Sequence, residues 1–220
     1  MNPSLYILSY EMKASTAGRS LFLSTSFFII VVLTANISMN QFGIRADKNS
    51  ISILWIALAM SALLSVNMIF QNDYDDGTLD WFMLSPISLE TIVILKAVAH
   101  WVTTCLPIML LTPIACISMG INFNSSLWIL LVMMIGTPAI SFISTIGSAL
   151  TLGERASHLL LPIFILPTFL PILVFGIKIS MLVTNSVYDS MAFLIMLAIS
   201  LFCIAITPFI TAMIIKVHYT

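Results

Sequence analysis

The feature that most constrains this chain is the absence of Asp, Glu, Lys and Arg from 97–153 and, in shorter runs, from 20–44, 49–72, 156–177 and 190–215. A helix rises about 1.5 Å per residue and a bilayer's hydrocarbon layer is about 30 Å thick, so each run is long enough to cross once. The run 97–153 is long enough for two crossings. Its polar cluster Asn122-Phe123-Asn124-Ser125-Ser126 divides it into roughly equal apolar halves, as a turn would. Six spans follow, near 21–41, 50–71, 97–121, 127–151, 158–179 and 191–215. The runs are continuously apolar rather than alternating, and a backbone in lipid must bond to itself, so they read as helices and not as a barrel. The predicted fold class is an all-α polytopic integral membrane protein with a single transmembrane domain, 1–220. Composition agrees, because 60% hydrophobic and 8% charged residues leave too little polar surface to cover a soluble domain. A net charge of -1 gives no reason to expect nucleic acid as a partner.

The first twenty residues are not expected to be a cleaved signal, since Glu11, Lys13 and Arg19 interrupt what would be its apolar core. Leu5, Leu8 and Met12 recur at helical spacing after Pro3-Ser4, with Tyr6 and Tyr10 nearby, which suits an interfacial helix over 1–20; the alternative is a disordered tail. Six spans put both termini on one side. Lys13, Arg19, Lys96, Arg155 and Lys216 share that side, against Arg45, Lys48 and Lys178 opposite, and this excess favours cytoplasmic termini.

Cys105, Cys116 and Cys203 all fall inside spans, where free cysteine behaves as a small hydrophobe, and none stands at a metal-ligand or redox spacing. Seven of the nine prolines also fall inside spans, which predicts kinked or broken helices. Pro162, Pro167 and Pro171 share one span and would free several carbonyls, so that segment is expected to face other helices or a cavity. Ala57, Ser61 and Ser65 on span two, and Ser144 and Ser148 on span four, form small-residue ridges that permit close helix approach, either within the chain or to a second copy. Trp101 and Trp128 suit interfacial anchoring.

The charged segment between spans two and three, 72–90, is the most informative. It holds Asp73, Asp75, Asp76 and Asp80, four of the nine acidic residues. Leu79, Phe82 and Met83 form an i, i+3, i+4 apolar stripe, and Asp76 and Thr78 are placed to serve backbone donors. Ser85-Pro86 reads as the cap and first residue of the next helix. The expectation is a short amphipathic helix at 76–84 on the cytoplasmic surface. Four acids in eight residues would be repelled by an anionic leaflet, so a protein partner explains them better than a lipid surface.

Phe70, Asp73, Asp76-Gly77-x-Leu79 and, after six residues, Pro86 resemble the signature of the heme exporter protein B family, membrane subunits of the ABC-type complex of cytochrome c maturation. The likeness continues through Lys96, His100-Trp101, Leu106-Pro107, Pro113, Gly136-Thr137-Pro138, Gly147, Ala149-Leu150-Thr151-x-Gly153 and the stretch from Leu166-Pro167 to Pro171, covering roughly residues 67 to 175. The resemblance implies an ABC-2-type permease-like fold whose coupling helix docks an ATPase through Phe70, Asp73, Asp76, Gly77, Leu79 and Pro86. It further implies a bacterial inner-membrane or mitochondrial setting and a second copy of the chain, with an ABC ATPase subunit and a heme-handling membrane subunit carrying a tryptophan-rich motif as partners. A small one-span helper and a periplasmic heme chaperone would complete the set.

No glycine is followed by Lys-Ser or Lys-Thr at Walker spacing, so this chain is expected to be no enzyme by itself and to leave hydrolysis to a partner. The resemblance implies ATP and Mg on that partner and heme as a candidate cargo, with no cofactor held here. His100 is the one tempting heme contact, though its place near the end of a span is also satisfied by headgroups or a neighbouring helix. The alternatives are a secondary transporter, which proline-rich helices would suit, or the membrane subunit of another ABC exporter. The first should carry coupling-ion carboxylates near the midplane, and no span has one there. A reporter fused after Thr220 should be active when it reads the cytoplasm; activity only of a periplasmic reporter would reverse the topology.

Overall fold

The computed structural model describes residues 19–42, 48–153, 157–187 and 189–218, all of whose regular elements are helical. The expected interfacial segment before Arg19, together with Arg45, Glu154 and Arg155, lies outside the described residues. The order is α1 (Arg19–Phe42), α2 (Lys48–Ser65), a 3₁₀ turn (Val66–Met68), α3 (Gln71–Asp75), α4 (Thr78–Leu84), α5 (Leu89–His100), a π-helical segment (Trp101–Cys105), α6 (Leu106–Ser118), α7 (Phe123–Leu150), α8 (Ser157–Thr184) and α9 (Ser190–His218). Among the described residues six helical stretches are long and apolar enough to cross a membrane, and the chain is a multi-pass all-α membrane protein.

Helix α7 is the centre, packing against α9, α8, α6, α5 and α2. It can be approached from so many directions because most of the side chains buried along its middle are small: Gly136, Thr137, Ala139, Ser141, Ser144, Thr145, Gly147, Ser148 and Ala149, interleaved with Ile140, Phe142 and Ile143. Their hydroxyls do not go unpaired in the apolar interior. Ser144 and Thr145 donate back to Ile140 and Phe142 carbonyls at 2.8 and 2.6 Å, and Thr145 meets Thr211 of α9 at 3.1 Å. The Ala57, Ser61, Ser65 ridge of α2 is buried as well, so its packing partners lie within this chain.

The prolines distort less than expected. Helix α8 runs unbroken through Pro162, Pro167 and Pro171. Ile165, Phe169 and Ile172 take its inward face, and this turns Pro167 and Pro171 outward rather than onto other helices or a cavity. Proline does leave a mark in the third span. Pro107 has no N–H to return to the preceding turn, and the five residues just before Leu106-Pro107 widen into the π segment Trp101–Cys105. The helix after the acidic segment starts at Leu89 with Ser88 as N-cap, not at Ser85-Pro86, because Ser85 is taken up as the C-cap of α4, its N–H and its hydroxyl both donating back to the Phe82 carbonyl. Trp101 is not an interfacial anchor; it is half-buried and donates its indole N–H to Thr137 at 2.9 Å.

Helices α2 and α8 meet at Trp55, which is buried and donates to Ser180 at 3.0 Å. A Cβ on Gly176 would stand 2.6 Å from two ring atoms of this indole, a rigid neighbour with no room to retreat. Gly176→Ala should therefore destabilise the bundle by about 1–3 kcal/mol, read as a lower thermal midpoint in detergent, and an unchanged midpoint would show that the indole can move.

Candidate functional site

The acidic segment folds as an elbow of two short helices rather than one. Helix α3 ends at Asp75, Asp76 closes it, and Gly77 turns the chain at φ 72° before α4 begins. Gly77 occupies the N-cap position of α4 with no side-chain cap, so the capping expected of Asp76 and Thr78 does not occur. The left-handed φ is what glycine supplies here, since a Cβ at Gly77 would find nothing within 4 Å.

The elbow is anchored by its own small core. Ile69, Phe70, Leu79, Leu89, Ile92, Val93, Ala149, Leu152, Ala212 and Ile215 form a cluster separate from that of the main bundle, with Phe82 and Met83 packed onto it. The Leu79, Phe82, Met83 stripe therefore faces inward, onto the ends of α7 and α9 and the start of α5. Polar contacts reinforce it. The Phe70 N–H donates to Ser148 of α7 at 3.2 Å, and the Tyr74 ring meets the His218 ring edge-on at 5.9 Å. Glu90 pairs with Lys216 at 3.2 Å, which brings the C-terminal end of α9 beside the same elbow.

Lys96 is the centre of this region. Its side chain is 1% exposed, forms an ion pair with Asp73, and donates to the Ile69 carbonyl at 3.3 Å. Its ammonium also lies 5.6 Å from the centroids of both the Phe70 and Phe82 rings. Lys96 is thus no free loop charge of the kind counted for topology. Asp73 is turned inward at 13% exposure, whereas Asp75, Asp76, Asp80 and Pro86 are exposed.

Of the six residues expected to dock a partner, Phe70 and Leu79 are buried, Asp73 is half-buried, Gly77 shapes the turn, and Asp76 and Pro86 face out. Sequence reasoning missed the outward apolar pair Trp81 and Leu84, 76% and 83% exposed on the opposite face of α4. The signal was present: a helix whose stripe at Leu79, Phe82 and Met83 faces inward should carry polar residues on its other side, and two large apolar ones there mark a contact surface.

One turn below Lys96, His100 is buried and not at a boundary. Its Nε2 lies 2.8 Å from the Ser65 hydroxyl and its Nδ1 2.8 Å from that of Ser141. Ser141 donates its own proton to the Ala97 carbonyl at 2.7 Å, so it accepts from Nδ1–H, while the Ser65 hydroxyl at Nε2 also reaches the Ala62 carbonyl at 2.9 Å and the Thr104 hydroxyl at 3.3 Å. Both ring nitrogens are engaged in tying α5 to α2 and α7. The cavity between Lys96, His100 and Ser65 is about 40 Å³, enough for a little water and far short of a ligand site. At the opposite end of the bundle, Trp128, Ile179, Val183, Phe193 and Leu194 line a larger, almost wholly apolar cavity of about 440 Å³. Asp189 at its rim caps α9, accepting from the Met191 and Ala192 N–H groups at 3.1 Å each, and the Ala192 N–H, with Lys178 nearby, holds its carboxyl below the usual range.

The turn at Gly77 makes a specific prediction. Because space is open and only φ is demanding, Gly77→Asn should be tolerated, whereas Gly77→Val should cost about 1–2 kcal/mol and loosen the elbow, seen as faster proteolysis between α3 and α4. Equal proteolysis of the two variants would remove the conformational argument.

The chain is 33% identical to heme exporter protein B of Rhodobacter capsulatus over 213 residues, covering 96% of this chain and 98% of that protein. It is 32% identical to heme exporter protein B of Paracoccus denitrificans over 205 residues, covering 93% and 94%, and 34% identical to that of Haemophilus influenzae over 177 residues, covering 78% of each. The model of the CcmB protein family matches residues 4–218, and with it the chain belongs to the CcmB protein family.

Proposed function

We propose that this chain is the permease subunit of an ABC-type complex for cytochrome c biogenesis, in which a partner's ATP hydrolysis drives heme export or release of a heme-loaded periplasmic chaperone. The observation that carries the reading is the two-faced elbow. Phe70, Leu79 and Phe82 root it in the ends of three long helices, and Trp81 and Leu84 stand outward beside Asp76 and Asp80. An exposed aromatic and aliphatic pair flanked by carboxylates fits a groove with an apolar floor and a basic rim on a soluble ATPase. Heme as cargo rests on the relatives, each named heme exporter protein B.

In this reading the chain performs no catalysis, and ATP and Mg belong to the ATPase. The elbow changes contact with the ATPase between its open and closed states, and only such differential contact can bias the spans. The remaining partners are the heme-handling membrane subunit, the one-span helper, the heme chaperone and a second copy of this chain, in a bacterial inner membrane with cytoplasmic termini. With Lys96 withdrawn into the fold, the charge argument for that orientation rests on Lys13, Arg19, Arg155 and Lys216.

The test is copurification of the ATPase from native membranes. Asp76→Lys should abolish capture, and Trp81→Ala should weaken it by about 30-fold, as expected when a buried aromatic anchor worth about 2 kcal/mol is truncated. Both variants should remain in the membrane. Absence of any ATPase from the unaltered chain would overturn the reading in favour of a secondary transporter.

A further inference from the structure

We propose that Lys96 is the positioning residue of the elbow, and that Asp73 serves as its internal counter-charge and not as a contact for a partner. An ammonium inside a helix long and apolar enough to cross a membrane is costly unless it is paired, so its retention calls for a role. The groups around Lys96 identify that role, because they come from every part of the elbow: the Ile69 carbonyl and Phe70 ring before α3, the Asp73 carboxylate within α3, and the Phe82 ring within α4. One side chain on α5 thus ties both short helices to the third span. Turning Asp73 inward also sorts the four acids. Asp75, Asp76 and Asp80 remain outside, on the same elbow as Trp81 and Leu84. The orientation of that outward face is then set by a buried charge contact rather than by the loop alone. Motion of the elbow would pass to α5, and through His100 to α2 and α7.

This inference rests on the docking reading for its consequence but not for its geometry, and the test separates the two. In a chain with Cys105, Cys116 and Cys203 replaced by alanine, Leu79→Cys and Leu84→Cys are exposed to a membrane-impermeant maleimide on inside-out vesicles stripped of peripheral proteins, and ATPase capture is measured in parallel on unstripped membranes. Leu84→Cys should label and Leu79→Cys should not, as their 83% and 0% exposures dictate. Adding Lys96→Met should raise labelling of Leu79→Cys to the level of Leu84→Cys and remove ATPase capture while the protein stays in the membrane. Lys96→Arg should restore both readouts. If Lys96→Met lowers membrane abundance, Asp73→Asn, which keeps the side-chain shape and removes only the charge, is used in its place with the same expectation. Asp73→Lys combined with Lys96→Asp should recover capture, a rescue that a direct Asp73 contact with the ATPase would not allow. Silent Leu79→Cys and unchanged capture in both single variants would overturn the proposal. Labelling that rises where even the unaltered chain captures no ATPase would uphold the fastener and refute the docking reading.

Discussion

A helix can stand at the centre of five others only if its side chains let their backbones come close, and α7 meets that constraint with Gly, Ala, Ser or Thr at nine of the positions it buries between Gly136 and Ala149. Between helices in lipid there is little hydrophobic driving force, so close van der Waals packing and hydrogen bonds must hold the bundle. The same small side chains supply both. Ser141 and Thr137 receive the polar edges of His100 and Trp101 from the third span, Thr145 meets Thr211 of α9, and Ser148 receives the backbone of Phe70. Larger residues along α7 would push the neighbours away and leave these polar groups with no partner in a medium that offers none.

The Ser148 contact shows why the elbow is part of the fold and not a loop hung from it. Its second core draws on α5, α7 and α9 at once, so the positions of three spans bear on one short segment. Such a segment suits the coupling role proposed for it, because a packed core shifts as a unit more readily than it deforms. The elbow joins two chemistries: an interior that holds a lysine with a carboxylate and two aromatic rings, and an exterior of carboxylates around a tryptophan and a leucine. The π segment directly after His100 adds a place where the third span departs from regular helical bonding, next to the residues that tie it to its neighbours.

Much of this was legible in the residues. The spacing of charge-free runs anticipates six crossing helices, the Asn122 cluster marks a turn between α6 and α7, and the Leu79, Phe82, Met83 stripe predicts which face of α4 is inward. Other readings failed for identifiable reasons. Pro162, Pro167 and Pro171 suggested a broken, inward segment, but each proline removes one hydrogen bond while the remainder of the helix keeps its own, and Pro167 and Pro171 fall opposite Ile165, Phe169 and Ile172. Ser85-Pro86 has the chemistry of a helix start, yet the chain stays extended there and turns helical only after Ser88. Lys96 and His100, near the edge of an apolar run, looked like boundary residues.

Local chemistry alone determined that the chain spans a membrane as helices, because an apolar backbone segment in lipid has one dominant way to satisfy its own hydrogen bonds, and that way depends on length and composition. It also determined the amphipathic sense of α4, since helical periodicity is a property of neighbours in sequence. Only the tertiary structure decided that Lys96 is interior, that Asp73 differs from Asp75, Asp76 and Asp80, and that His100 joins three helices. These depend on groups 23 to 41 residues apart in the chain meeting across α2, α3, α5 and α7. A carboxylate in a run of carboxylates carries no mark of which one will face a buried ammonium; the packing of the spans makes that choice.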